Sequence, residues 1–401
     1  MPPRHLKITE FSNIVLDTDL CGSANIQILE HLAQRGHQVQ LVAMNSKDPS
    51  TASFRGINIL SFRLRAAALF QRLCFQVILA FFLPIHVLTQ KPQIVITEPD
   101  LSILSFFWKP ILTRCTKVKV ILDVRSVPVE TSCGWRAGLM AFLFSVSMLV
   151  ARRLFDGITT VTPMMKEDLV EQFSISDPRF IRVWTNGVTN SLFDPSKYAE
   201  DAARLRKENG VDKDAFVVFY HGSFTEHRGI YESVRSIKNL TGKYDDVVLF
   251  MLGSGVAVPS IRKLIRNLGL EGRVIIHDPV WPYSEVPKYI AMSDVCLVPY
   301  PNIADWRHQF ILKLIEYLAM EKPVIVTDIP CVRFVVDDSK CALYISDADP
   351  TLIAQAVMNY HDRRNTLAQL GQDCKKIAEK YDWSRVAESL ENDLLSIIAQ
   401  N

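Results

Sequence analysis

Apolar runs of four to seven residues alternate along the chain with longer segments of helical period. Residues 5–12 (HLKITEFS) predict a strand, 24–34 a helix closed by Arg35-Gly36-His37, and 38–44 (QVQLVAM) a second strand. A helix over 66–83 follows, then a strand at 93–97 (QIVIT), an apolar helix near 102–112 and a strand at 118–124 (VKVILDV). A long helix near 136–154 leads to the strand GITTV, the helix MMKEDLVEQF and a short strand, IRVW, at 181–184. The alternation breaks at NGVTNSLFDP (186–195), which is rich in turn formers, and then restarts. AFVVFYHGSF, VVLFMLGSG, RVIIHDP, VCLVPYP, VIVTD and ALYIS read as strands, with helices between them and at the end of the chain. Repeated strand–helix units with continuous apolar strands predict an α/β protein whose parallel sheets are covered on both faces. The break near residue 190 predicts two doubly wound domains, with ligands at the carboxyl ends of their strands.

Composition adds little to this and excludes some classes. A chain of 401 residues with 48% hydrophobic and 22% charged residues fits two ordinary globular domains. The net charge is +2, yet residues 1–195 carry 20 Lys and Arg against 15 Asp and Glu, and residues 196–401 carry 25 against 28. The basic half suits an anionic or membrane-borne ligand. The eight cysteines have no paired spacing, which argues against a disulfide framework or zinc site and for a reducing cytoplasmic setting. MPPRHLKITEF lacks the apolar core of a signal peptide. Residues 73–90 and 137–151 are uncharged but shorter than the roughly twenty residues of a spanning helix. They read as buried helices or as interfacial ones. Arg63, Arg65, Arg72, Lys109, Arg114, Lys117 and Lys119 around them keep peripheral attachment open.

Candidate chemistry gathers at strand ends. In FILKLIEYLAMEKPVIVTD (310–328), Lys313 and Glu316 lie one turn apart in an otherwise apolar helix. They form either an i,i+3 salt bridge on a solvated edge or part of a binding site. Gly222-Ser223-Phe224-Thr225-Glu226-His227-Arg228-Gly229 is a glycine turn between strand and helix, suited to an anion or merely to a tight connection. Gly253-Ser254-Gly255 is a second such turn, and Val258 breaks the dinucleotide G-x-G-x-x-G spacing. Val280 and Trp281 after RVIIHDP offer a nucleobase platform or simple packing. Asp17-Thr18-Asp19 has the form of a metal-binding D-x-D, but so does Asp347-Ala348-Asp349, and we expect no metal. Asp123 and Arg125, ending VKVILDV, pair with each other, cap the strand or meet a second substrate. No nucleophile elbow, P-loop or zincin helix is present in the sequence.

In order along the chain, N-G-V then F-D-P, G-S-F-x-x-x-R-G, the G-S-G turn, K-L-I-E-Y-L-A-M-x-K-P-V-I and Trp383 near the end resemble the retaining glycosyltransferases of family four. The match is strongest at 181–195, 219–229 and 308–328; R-G-H-x-V, D-V-R and G-I-T-T-V match more loosely in the first half. The resemblance implies the GT-B fold. It implies an acceptor-binding domain over 1–190, a nucleotide-sugar domain over 191–380 and a terminal helix, 381–401, returning to the first domain. Glu316 would bind the ribose, while Arg228 and Lys313 would act on the pyrophosphate as catalytic cations with Asp123. Gly222, Ser223, Gly253, Ser254, Val280, Trp281 and His308 would complete the donor site, and Gly22, Asp123 and Arg125 would face the acceptor. The chain departs from the family pattern at His308, where a second glutamate is common, and at Ser223, where an arginine is.

The resemblance implies transfer, with retention, from a UDP- or GDP-linked sugar to a glycan or polyprenyl-linked acceptor at the inner membrane face. Neither a further cofactor nor nucleic acid is expected. A non-catalytic GT-B subunit that binds a nucleotide sugar or scaffolds a partner is the alternative, and His308 is the residue that favours it. A nucleotide-sugar epimerase fits the hinge and the K-x-x-E helix poorly.

Overall fold

The computed structural model describes residues 5–16, 24–45, 51–64, 68–99, 109, 115–127, 135–278 and 282–400. The chain divides into one unit formed by residues 1–186 with 383–401 and another formed by residues 187–382.

Among the described residues the first unit holds an eight-stranded sheet of order β3-β4-β2-β1-β5-β6-β7-β8. Its strands are β1 (Lys7–Val15), β2 (Gln38–Asn45), β3 (Thr51–Phe54), β4 (Ile57–Arg63), β5 (Ile94–Thr97), β6 (Lys119–Val124), β7 (Gly157–Thr160) and β8 (Ile181–Val183). Seven run parallel; β3 pairs antiparallel with β4 at the edge. The periodicity argument overlooks this edge pair because its signal is a turn. Arg55 (φ 48°) and Gly56 (φ 86°) both adopt positive φ, the backbone of a two-residue hairpin whose twist suits the strands.

The helix predicted to end at residue 83 continues through Pro84 to Gln90. Proline normally removes a helical hydrogen bond, so the last turn needs tertiary support. Val87 is fully buried, and the His86 ring lies 3.3 Å from the Thr9 hydroxyl on β1 and edge-on to Phe11. On the opposite side, the final helix, Trp383–Ala399, packs on Ala24–Gln34. Trp383, Val386, Leu390, Leu394 and Ile397 join Ile8, Leu41 and Ile94 in one core. His37 accepts the Leu6 N–H at Nδ1 (3.0 Å), which leaves Nε2 as the donor to Glu391 Oε1 at 3.0 Å; Arg35 meets the other oxygen at 2.5 Å.

The second unit has a fully parallel six-stranded sheet, β11-β10-β9-β12-β13-β14. Its strands are β9 (Phe216–His221), β10 (Val247–Leu252), β11 (Val274–His277), β12 (Val295–Val298), β13 (Val324–Thr327) and β14 (Ala342–Ile345). Apart from His221 and Thr327 at their ends, β9, β10, β12 and β13 are apolar, mostly β-branched or aromatic residues buried on both faces, as helices on both sides require. Chain order reverses between β9 and β12, and that reversal opens a crevice at their carboxyl ends. In the first sheet the reversal lies between β1 and β5.

Burial holds His86 down to about 4, with Lys7 adding to the effect. Its folded value is below the unfolded one, so the stability it contributes is complete above about pH 6.5 and falls as pH drops toward 4. Thermal unfolding of the parent and of His86→Gln, followed by circular dichroism between these limits, should show a shallower acid decline in the variant.

Candidate functional site

At the β9–β12 crevice, two glycine turns stack because their strands are in register, Leu252 opposite His221. Gly222 N–H donates to the Leu252 carbonyl (2.9 Å), and Phe224 N–H to the Ser254 carbonyl (2.8 Å). Both turns need glycine. A Cβ on Gly253 (φ 151°) would lie 1.9 Å from the Gly222 carbonyl oxygen, and one on Gly255 would lie 2.2 Å from that of Phe224. Gly229 (φ 67°) presses so closely on the Pro299 carbonyl that a Cβ would overlap it, and it begins the helix Ile230–Asn239 without a side-chain cap. The amino-terminal N–H groups of that helix are therefore available to an anion.

Lys313 and Glu316 stand on the helix Leu312–Ala319, which joins β12 to β13. They do not form a salt bridge on a solvated edge. Lys313 is only 7% exposed, and its Nζ has no hydrogen-bond partner among the described residues; it lies 3.9 Å from the centre of the Tyr220 ring and 5.4 Å from that of Tyr300. The same Nζ would be 2.8 Å from a Cβ on Gly222, so the lysine fills the space that glycine leaves. Burial, reinforced by Arg228, holds its pKa well below the ordinary lysine range, while Glu316 opposes the shift. Arg228, half-buried, donates from Nε to Thr225 Oγ1 (3.0 Å) and from Nη1 to the Tyr300 hydroxyl (2.8 Å). Its guanidinium lies 5.0 Å from the Trp306 ring centre. Two cations, two glycine turns and a helix amino terminus thus converge where the strand order reverses.

Glu316, 1% exposed, accepts the Tyr283 hydroxyl at Oε1 (2.5 Å). Its Oε2 is 2.9 Å from His221 Nε2. Burial lowers the His221 pKa, against the pull of Glu316, and Lys313 lowers it further. Ser223 and Ser254 are exposed at the turn tips. His308 is half-buried and ends the short helix Ala304–Arg307, so it is not on the helix that carries Glu316. Val280, Trp281, Gly22 and the Asp17-Thr18-Asp19 motif lie outside the described residues. The competing D-x-D is structural. Asp349 caps the helix Pro350–Asp362 through Thr351 and Leu352 N–H groups, and Asp347 accepts the Asn302 and Ala348 N–H groups.

In the first unit, Asp123 and Arg125 share Trp184 as a neighbour. Asp123 Oδ1 accepts from Thr159 Oγ1 (2.7 Å) and Trp184 Nε1 (3.2 Å), and Arg125 stacks 3.6 Å from the Trp184 ring centre while donating to Asn186. Burial raises the Asp123 pKa, opposed by Arg125, Thr159 and Trp184. Sequence reasoning missed Glu10 and Glu98 beside them. Glu10, 3% exposed, accepts from Asn25 (2.6 Å) and is raised well above the carboxylate range by burial, then by Asp123 and Glu98. Glu98, just past β5, accepts from Ser12 Oγ (2.5 Å) and the Asn13 N–H (3.1 Å), bridging the β1–β5 reversal. The available signal was position: Glu98 directly follows the QIVIT strand.

Two family descriptions together cover most of the chain: "Glycosyltransferase Family 4" matches residues 24–191, and "Glycosyl transferases group 1" matches 201–377. A D-inositol 3-phosphate glycosyltransferase from Corynebacterium kroppenstedtii is 25% identical over 244 residues, 59% of this chain and 52% of that protein. The chain thus spans about half the length of the curated relatives that it matches first. Among solved structures, Anabaena HepE in complex with UDP superposes with a TM-score of 0.73 at 13% identity, covering 98% of this chain and 100% of that one. Sucrose-phosphate synthase from Thermosynechococcus elongatus gives 0.78 at 18% identity, with both chains fully covered. The shared fold is GT-B, built of two Rossmann-like units.

The glycine geometry separates two substitutions. Gly253→Ala meets backbone at 1.9 Å and should cost at least about 2 kcal/mol. Gly222→Ala meets only the mobile end of Lys313 and should cost less while displacing the lysine. Chemical denaturation of both variants measures the order.

Proposed function

Since the chain belongs to the glycosyltransferases of family four, we propose that it transfers a sugar with retention from a nucleotide-sugar donor to a glycan or lipid-linked acceptor. The observation that carries this reading is Lys313, a buried lysine whose ammonium has no hydrogen-bond partner among the described residues, set against Gly222 and beside Arg228. An unpaired buried ammonium is costly, and a diphosphate is the ligand that removes the cost.

Arg228 and Lys313 neutralise the charge that grows on the departing nucleoside diphosphate, with the free amino terminus of Ile230–Asn239 assisting. Their surroundings are aromatic and water-poor, which strengthens that attraction. Glu316 accepts the ribose hydroxyls. Gly222 and Gly253 let the backbone approach the phosphates, and Ser223, Ser254, Val280, Trp281 and His308 complete the donor contacts. UDP and GDP are the preferred nucleotides; solved relatives are described with UDP and UDP-glucose. Asp123 and Arg125, with Gly22, orient the acceptor, whose hydroxyl attacks from the face that the leaving group vacates. The chemistry needs neither a metal nor a cofactor beyond the donor.

The acceptor reading extends to a cytoplasmic protein resting on the anionic inner face of a membrane. Among the described residues no helix is long and apolar enough to cross one. Seven of the nine exposed large apolar side chains among the described residues nevertheless lie on two helices: Val77, Phe81, Ile85 and Leu88 on Ala68–Gln90, and Leu139, Phe142 and Leu149 on Trp135–Leu154. Neither helix contains an acidic residue, and exposed Lys91, Arg152 and Arg153 follow the stripes. Apolar faces flanked by cations complement an anionic lipid surface.

Arg228→Ala and Glu316→Ala should each lower turnover by about a hundredfold, measured as nucleotide release from UDP- and GDP-sugars. Full activity in both would overturn the catalytic reading. Phe81→Asp combined with Phe142→Asp should abolish sedimentation with phosphatidylglycerol vesicles at low salt while leaving UDP or GDP binding unchanged. Equal sedimentation of parent and variant would overturn the membrane reading.

A further inference from the structure

We infer that Tyr283 and His221 are positioning residues that hold the Glu316 carboxylate for the ribose of the donor, an inference that rests on the donor-site reading above. Glu316 is the least exposed acid of the crevice, and each of its oxygens already faces one neighbour: the Tyr283 hydroxyl at 2.5 Å and His221 Nε2 at 2.9 Å. The two neighbours come from different strand exits. His221 is the last residue of β9, and Tyr283 follows β11, on the far side of β10.

Both neighbours are themselves fixed. The His221 N–H donates to the Tyr317 hydroxyl (2.9 Å), and the imidazole meets the Tyr317 ring edge-on at 5.1 Å. The Tyr283 ring packs on Phe193, fully buried in the segment that enters this unit, at 5.5 Å. Free rotation of a glutamate side chain would scatter its lone pairs over several directions. Contacts from two sides restrict it to one orientation, and a carboxylate still has acceptor sites left for two hydroxyls. The arrangement therefore prepares Glu316 to accept a vicinal diol, the chemical mark that distinguishes a ribonucleotide from its deoxy counterpart. Its contribution appears as sugar discrimination, because Arg228 and Lys313 meet the diphosphate whichever sugar is present.

The test compares Tyr283→Phe and His221→Asn with the parent by calorimetry. The probes are UDP, GDP and ADP, and the 2′-deoxy form of whichever binds most tightly. Tyr283→Phe keeps the ring on Phe193 and removes only the donor oxygen, so its fold should survive even where His221→Asn loosens the strand end. The parent should prefer the ribonucleotide by about tenfold. Each variant should reduce that preference to threefold or less, mainly by weakening the ribonucleotide and sparing the deoxynucleotide. A merely structural role would weaken both ligands alike and leave the ratio unchanged; an unchanged ratio in Tyr283→Phe overturns the inference but not the donor site. If the parent binds none of the three nucleotides, the donor-site reading falls, and the inference with it.

Discussion

Lys313 cannot leave water cheaply, and the crevice at the β9–β12 reversal is organised around that fact. Its amino group sits against aromatic rings, and it fits only because Gly222 has no side chain. Gly222 in turn can take its backbone form only if Gly253 lets the two turns stack. Parallel strands in register bring both turns to one edge, so a chain of purely local demands ends in a charged pocket. Aromatic faces partly compensate a cation, but less completely than a carboxylate or phosphate does.

Much of this was legible in the sequence, and the reasons are specific. The inner strands of the second unit are nearly uninterrupted apolar runs, which admit few readings, and glycine turns after β9 and β10 fix where their carboxyl ends lie. Lys313 and Glu316 stood out because charge is rare inside an apolar helix. Spacing alone suggested that they face each other, yet the structure turns Lys313 toward Tyr220 and Glu316 toward Tyr283 and His221. Partners from other strands are invisible to a helical-period argument. The helix running through Pro84 was cut short for a related reason, since proline was read without its tertiary support, while the edge hairpin at Arg55-Gly56 was missed because its signal is a turn and not a period.

The first unit shows the opposite balance. Asp123 and Arg125 were found as a strand end, but Glu10 and Glu98, 113 and 25 positions before Asp123, come beside it only through the pairing of β1, β5 and β6. Three carboxyl groups around one guanidinium cannot all be charged comfortably, and burial keeps Glu10 toward its neutral form.

The last helix has a consequence for how the protein comes into being. Trp383, Leu390, Leu394 and Ile397 complete the core that Ile8, Leu29 and Leu41 begin, more than 340 residues earlier. During synthesis the second unit has its whole sequence before this helix emerges, whereas the first must wait for it. The amino-terminal half is thus the later of the two to close its core, and it waits with an apolar surface uncovered. The order of residues along the chain and the order in which its units finish folding are reversed.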